Sequence, residues 1–295
     1  MLRLEDLANL VRDFPSDLPA IVREFSLAGK VFPFNTRPCI MGVINLSADS
    51  WYRESVCLDV DSAIQRGRVL HAQGADIIDI GAESTLAHAS RVTDTEQAGK
   101  LLPVVRALRS EGILVSVETY SPRVAHDCLE SGANVLNLTG NEELGEIFRM
   151  VADHDAGVIL CYVQGANVRE VCGFEFGEDT VGLMRDHFER VSEMAAGFGV
   201  KKIVLDPGLG FYYRNLQDSS VRVRHQMRVF LNTFRLRSLG YPVCHALPHA
   251  FEYFREEVRC AEPFFAMLAL LGKTDLLRTH EVPRVRAVIE ALRAF

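Results

Sequence analysis

The stretch IMGVINLSADSWYRESV, residues 40–56, changes character at Asn45: a short apolar run rich in Ile and Val gives way to Asn, Asp, Trp and Arg. An apolar run of that length, bounded by polar residues, has the pattern of a strand buried on both faces. The pattern recurs. CIMGVINL, DIIDIG, ILVSVET, NVLNLT, GVILCYV, KIVLDPG, YPVCHAL and DLLRTH make eight such runs. Between them, segments such as DVDSAIQRGRVLHAQG and TVGLMRDHFERVSEMAAGFG repeat apolar residues every three or four positions and end in Gly, as helices do. Continuous apolar strands separated by helices imply a parallel sheet covered on both faces. Eight such units fit an α/β fold of the closed (β/α)8 TIM-barrel type, with a doubly wound open sheet as the alternative. Residues 1–36 then form a short N-terminal extension closing the bottom or side of the barrel, and residues 37–295 the barrel itself.

Composition bounds the function. The 295 residues are 48% hydrophobic and 24% charged, as in globular proteins, and no apolar run approaches the length of a membrane span. The N-terminal MLRLEDLANLVRDFP alternates charge and Leu at helical spacing, so it reads as a surface helix and not as a secretory leader, and a cytoplasmic location is the default. A net charge of −7 argues against a general nucleic-acid binder while leaving room for a local basic pocket. The seven cysteines are scattered without a CxxC pair, and Cys39, Cys161 and Cys244 lie inside strand-like runs. They read as small core hydrophobes, with no disulfide or zinc assigned to them.

In a barrel of this kind the chemistry sits at the C-terminal ends of the strands. Asn45, Asp79, Glu118, Asn137, Asp206 and the pair Arg278 and His280 all follow an apolar run, so all are expected at one mouth. Taken singly, each has the alternative of capping a loop. Carboxylates and amides together suit the edge of a flat, nitrogen-rich ring such as an amino-pyrimidinone; a guanidinium and an imidazole suit an anion. LDPGLGF places Gly208 and Gly210 where the backbone must turn close to a ligand, although DPG is also an ordinary turn signal.

IMGVINLSADSW, GADIIDIGAEST, SVETYSP, NVLNLTG, KIVLDPGLGF and LLRTHEV, in that order, resemble the dihydropteroate synthase branch of the pterin-binding barrel superfamily. The resemblance implies a transferase of folate and pterin metabolism that joins a pterin diphosphate to p-aminobenzoate or another amine and releases diphosphate. It implies pterin binding by Glu118, Asn137 and Asp206. It implies anion binding by Asn45, Thr85, Arg278 and His280, Mg²⁺ at Asn45, and catalytic parts for Asp49, Asp79 and His280. Family members are often homodimers.

The sequence also departs from the family pattern. Glu118 stands where the family has Asp, and Arg53 and Leu86 replace a loop Asp and a loop Arg. Pro248, His249 and Ala250 stand at a Ser-Arg-Lys triplet that serves the pterin and the aminobenzoate. His249 and Arg53 are candidates for a second-substrate site, and His245 and Lys273 are further cations near strand ends. Trp51 and Tyr52 either stack on a ring or cover the mouth. RVRHQMRVFLNTFRLRSLG reads as a solvated basic helix face. Two rivals stay open: a pterin-binding paralogue without synthase activity, favoured by the lost triplet, and a methyltetrahydrofolate-dependent methyltransferase, disfavoured by Arg278 and His280.

Overall fold

In the computed structural model, which describes residues 1–294 except 48, 50–54, 85–88 and 212, the chain opens with helix α1 (Leu4–Asp13). None of its residues is buried, as expected of a surface helix. An antiparallel hairpin of β1 (Phe25–Leu27) and β2 (Lys30–Phe32) follows.

Eight parallel strands come next: β3 (Cys39–Asn45), β4 (Ile77–Gly81), β5 (Val115–Thr119), β6 (Val135–Leu138), β7 (Gly157–Cys161), β8 (Lys202–Asp206), β9 (Cys244–Ala246) and β10 (Leu276–Thr279). They correspond one for one to the eight apolar runs. Neighbours pair in chain order from β3 to β8, β10 lies between β3 and β9, and a bridge from Leu205 to Val243 joins the two edges. The sheet is therefore a barrel and not a doubly wound open sheet.

Helices α2 (Val60–Ala72), α3 (Asp94–Ser110), α4 (Pro122–Glu130), α5 (Leu144–Asp153), α6 (Thr180–Gly197), α7 (Ser219–Leu231), α8 (Thr233–Arg237), α9 (Phe251–Phe254), α10 (Ala261–Leu271) and α11 (Val282–Arg293) lie in the connections. Their starts follow local chemistry. Asp59 accepts the Ser62 N–H at 2.8 Å to cap α2, Thr93 and Glu96 form a capping box on α3, and Pro122 opens α4 after the Ser121 cap. No described helix is long and apolar enough to cross a membrane.

Side chains alternate along the strands, and this divides the core in two. Ile40, Ile78, Leu136, Leu205 and Leu277 pack outward with the helices. Met41, Ile77, Val135, Ile159, Val204 and Leu276 fill the lower barrel, where Leu27, Phe32 and Phe34 of the N-terminal extension pack beneath them. The extension thus closes the bottom. Arg237 fastens it there: its Nε lies 3.1 Å from Asp275 Oδ2, and its terminal nitrogens donate to Ala20 O at 3.1 Å and Asn35 Oδ1 at 3.2 Å.

The basic stretch after β8 corrects the sequence reading in part. Arg224 and Arg228 are exposed, but Arg235 and Arg237 are buried. Arg235 pairs with Asp179, and its guanidinium lies 3.8 Å from the Phe14 ring centre. Periodicity alone could not separate these residues, because α8 is a short helix wedged between other elements.

Candidate functional site

Two residues above four of the six lower-barrel side chains, on the same inward face, comes a polar one. Ile77 is followed by Asp79, Val135 by Asn137, Val204 by Asp206 and Leu276 by Arg278. The two-residue period therefore stacks a polar layer on the apolar one. Asn45, Glu118, Asn137, Asp206, Arg278 and His280 all line a single cavity at the C-terminal end of the strands, and His249 joins them.

Asp79 lies beneath this cavity, completely buried. Its Oδ2 accepts Arg278 Nε at 2.6 Å and Asn137 Nδ2 at 3.2 Å, and its Oδ1 is a buried acceptor with no hydrogen-bond partner among the described residues. Arg278 Nη2 donates to Glu118 Oε2. The Glu118 carboxylate thus meets the guanidinium that Asp79 holds from its other side. Asn137 Oδ1 in turn accepts the Cys161 thiol at 3.4 Å.

Asp206 Oδ1 accepts the Gly208 N–H at 2.8 Å. Gly208 has φ of +71°, and a Cβ there would lie 2.3 Å from Tyr162 O, so this turn requires glycine. Gly210 meets no such constraint; a Cβ there would make an ordinary 3.6 Å contact with Ala246.

The electrostatics are lopsided, with three carboxylates, Asp79, Glu118 and Asp206, around one guanidinium. Burial pushes the Asp206 carboxyl up to about 6, with Asp79 adding to the effect against Gly208 and Arg278. Burial likewise lifts Glu118 to about 6, opposed by Arg278 and reinforced by Asp79 and Asp206. Burial disfavours the Arg278 charge, but Glu118 and Asp79 outweigh it and hold the guanidinium firmly protonated.

The opposite wall is made of imidazoles. Asn45 Nδ2 donates to Ser55 Oγ at 2.6 Å and lies 3.4 Å from His280 Nε2. His280 Nδ1 is 2.7 Å from Glu262 Oε1, and His249 Nε2 is 3.2 Å from the same oxygen. Burial would raise the Glu262 carboxyl, yet His280 and His249 hold it well below the usual carboxylate range.

Sequence reasoning missed Glu262. Its signal was there: it is the single charged residue of AEPFFAMLALL. Also missed were Gln226, a cavity residue whose Nε2 donates to Leu209 O at 2.8 Å, and Arg169, which donates to Ser84 O at 2.7 Å and Ala89 O at 2.6 Å.

Other candidates lie elsewhere. Asp49 is exposed, and its Oδ2 accepts the Ser90 N–H at 3.3 Å, so it ties the first loop to the second. His245 faces outward from β9, 2.7 Å from Thr233 Oγ1, and burial pushes its pKa down to about 3, so it supplies no charge to the mouth. Lys273 precedes β10 at the opposite end of the barrel and donates to Leu18 O. Thr85 and Arg53, with Trp51, Tyr52, Leu86 and His88, lie outside the described residues.

Comparison with known proteins bears on this geometry. The family described as pterin binding enzyme matches residues 41–246. The folate synthesis bifunctional protein of Arabidopsis thaliana is 32% identical over 285 residues, covering 89% of this chain, which spans 57% of the plant protein's length. Dihydropteroate synthase of Synechocystis is 26% identical over 303 residues, 99% of each chain. Among solved structures, dihydropteroate synthase from Clostridium difficile, crystallised in the presence of pteroic acid, superposes with a TM-score of 0.75 at 28% identity, covering 89% of this chain and 98% of the other.

Proposed function

The chain belongs to the pterin-binding enzyme family, and on that premise we propose that it is a pterin-using transferase of the dihydropteroate synthase type, acting in folate biosynthesis. The observation that carries this reading is the polar layer over the barrel core. Asp206, Glu118 and Asn137 offer carboxylate and carboxamide groups at one depth, complementary to the amino, ring N–H and carbonyl groups of a pterin. Asp79 acts from below: by accepting Asn137 Nδ2 and Arg278 Nε, it fixes the orientation of both.

At the rim, Asn45 and His280 suit an anionic leaving group such as a diphosphate. Arg278 has Nε and Nη2 committed to carboxylates, so Nη1 is the nitrogen left for an anion. Donors fixed before the reaction stabilise charge that develops on the departing diphosphate oxygen while an amine attacks the pterin methylene. Thr85 and Arg53 keep their proposed parts in anion and second-substrate binding, and Asp49 a part in positioning the first loop.

Of the described residues near Asn45, only its carboxamide oxygen would be offered to Mg²⁺. Asn45 offers one hard oxygen, Asp49 is turned to Ser90, and Mg²⁺ ordinarily takes its remaining ligands from phosphate oxygens and water. Such an ion would neutralise charge on the diphosphate.

A second reading, a pterin-binding paralogue without synthase turnover, draws on one observation: His249, at the place of the triplet, is engaged with Glu262 and His280. One experiment separates the two. The protein is titrated with 6-hydroxymethyl-7,8-dihydropterin diphosphate and Mg²⁺, then p-aminobenzoate is added and diphosphate release is followed. Release supports the synthase reading, tight binding without release the second, and absence of binding rejects both.

A further inference from the structure

We propose that His249, Glu262 and His280 form a binding site for a divalent transition metal of the zinc class in the wall of the cavity, distinct from any Mg²⁺ carried by a diphosphate. The site rests on its own ligands and does not depend on the pterin reading.

The geometry is that of a facial triad. His249 Nε2, His280 Nδ1 and Glu262 Oε1 make a triangle with sides of 3.3, 2.7 and 3.2 Å. Three ligands arranged tetrahedrally about an ion at about 2.0–2.1 Å stand about 3.3 Å from one another, so the three atoms need move only by tenths of an ångström to close on a common centre. All the potential ligand atoms of the group lie within 4.8 Å of one another. Two imidazoles and one carboxylate are a ligand set that suits zinc, iron or cobalt and suits magnesium poorly.

The surroundings hold the carboxylate in the orientation a ligand needs. Glu262 is completely buried on α10. Its Oε2 accepts the Thr279 hydroxyl, the His280 N–H at 2.9 Å and the Glu281 N–H at 3.1 Å, which aims Oε1 at the two rings. This is the outer-shell support that metal-binding carboxylates commonly have. His249 is oriented by stacking on Phe251, with ring centres 5.3 Å apart and 28° between planes. His280 Nε2 lies 3.4 Å from the Asn45 carboxamide, so an ion at Nδ1 would place a proton on Nε2 that the Asn45 oxygen accepts once that amide turns.

A divalent cation at the centre of the triangle would take the lone pairs of His249 Nε2 and His280 Nδ1, each ring keeping its proton on the other nitrogen. His249 and His280 also line the cavity, whereas Glu262 does not, so the remaining coordination positions face the space where a substrate lies. The ligands expected there are water or an anionic oxygen, as in open zinc sites.

The test uses the full chain, stripped with a chelator and titrated with Zn²⁺ by calorimetry and with Co²⁺ by visible absorption. The expected result is one ion per chain, with ligand-field bands of low-coordinate Co²⁺. His249→Ala should weaken Zn²⁺ binding by about 100-fold or more. Glu262→Gln should do the same, because its amide oxygen can still serve the backbone N–H groups while its NH2 faces the rings as a donor. His71→Ala, which removes an exposed imidazole on α2, should change nothing. Thermal melts establish that the variants are folded, and His249→Ala decides the matter if Glu262→Gln is not. No stoichiometric Zn²⁺ or Co²⁺ binding, or binding undiminished in His249→Ala, overturns the proposal and leaves a hydrogen-bonded cluster. Binding of Mg²⁺ alone also overturns it.

Discussion

Arg278 Nε lies 2.6 Å from Asp79 Oδ2, across the barrel's first strand, and the same guanidinium reaches Glu118 from its other side. A side chain read from sequence as an anion ligand is thus first of all the counter-charge of a buried carboxylate layer. Arg278→Met should lower the unfolding free energy by about 3–5 kcal/mol at pH 7.5, since it leaves uncompensated buried charge. Near pH 5.5 the loss should be smaller, because Glu118 and Asp206, both near 6, can take up protons. Urea unfolding at the two pH values checks this; an equal loss at both would show that Arg278 acts through packing.

Asp206 sets function against stability. Its folded pKa of about 6 lies above its unfolded value of 3.8, so between these values the native state binds the extra proton. Stability from this group is therefore full below about pH 4 and falls as pH rises to about 6. Asp206→Asn removes the penalty and should raise stability near neutral pH by about 1–3 kcal/mol, while the Gly208 N–H keeps an acceptor. The same substitution should abolish pterin binding. Melting curves from pH 5 to 8, paired with pterin titration, test both halves, and a destabilised variant would contradict the electrostatic account.

Gly208→Ala should destabilise the protein by at least about 2 kcal/mol. It places a Cβ 2.3 Å from Tyr162 O on a backbone with φ of +71°. Gly210→Ala, with only a 3.6 Å contact to Ala246, should be nearly neutral. Melting temperatures of the two variants provide the comparison, and similar losses would refute the steric argument.

Arg237→Met should release the N-terminal extension. It removes donors to Ala20 O and Asn35 Oδ1 together with the partner of Asp275, whose carboxyl burial already pushes up to about 7. Hydrogen exchange should quicken at Val22 and Arg23, whose amides are bonded to Asn35 Oδ1 and Gly240 O, while strands β4 to β6 keep their protection. Uniform acceleration through the barrel would mean instead that the extension and barrel unfold as one unit.

The barrel was legible because each strand is a continuous apolar run, and the site because a polar residue ends the run in the inward register. The same parity, applied to PVCHAL, would have excluded His245: with Cys244 and Ala246 facing in, the residue between them faces the helices. Other features have no local signature. The Arg278–Glu118 contact joins residues 160 positions apart; for Glu262 the lone charge in an apolar helix was a local sign, but its imidazole partners come from other elements. Lys273 was misplaced because it stands before its strand, at the end that carries no chemistry. Arg235 and Arg237 depend on partners, Asp179 and Asp275, that only tertiary structure supplies.

The lower barrel is filled by its own side chains and floored by Leu27, Phe32 and Phe34, so among the described residues the cavity opens past the C-terminal ends of the strands. Two molecules that use it at different depths cannot come and go independently. On the proposed reading, a ligand at Asp206 would have to enter before one near His249 and leave after it, an order set by the closed floor of the cavity.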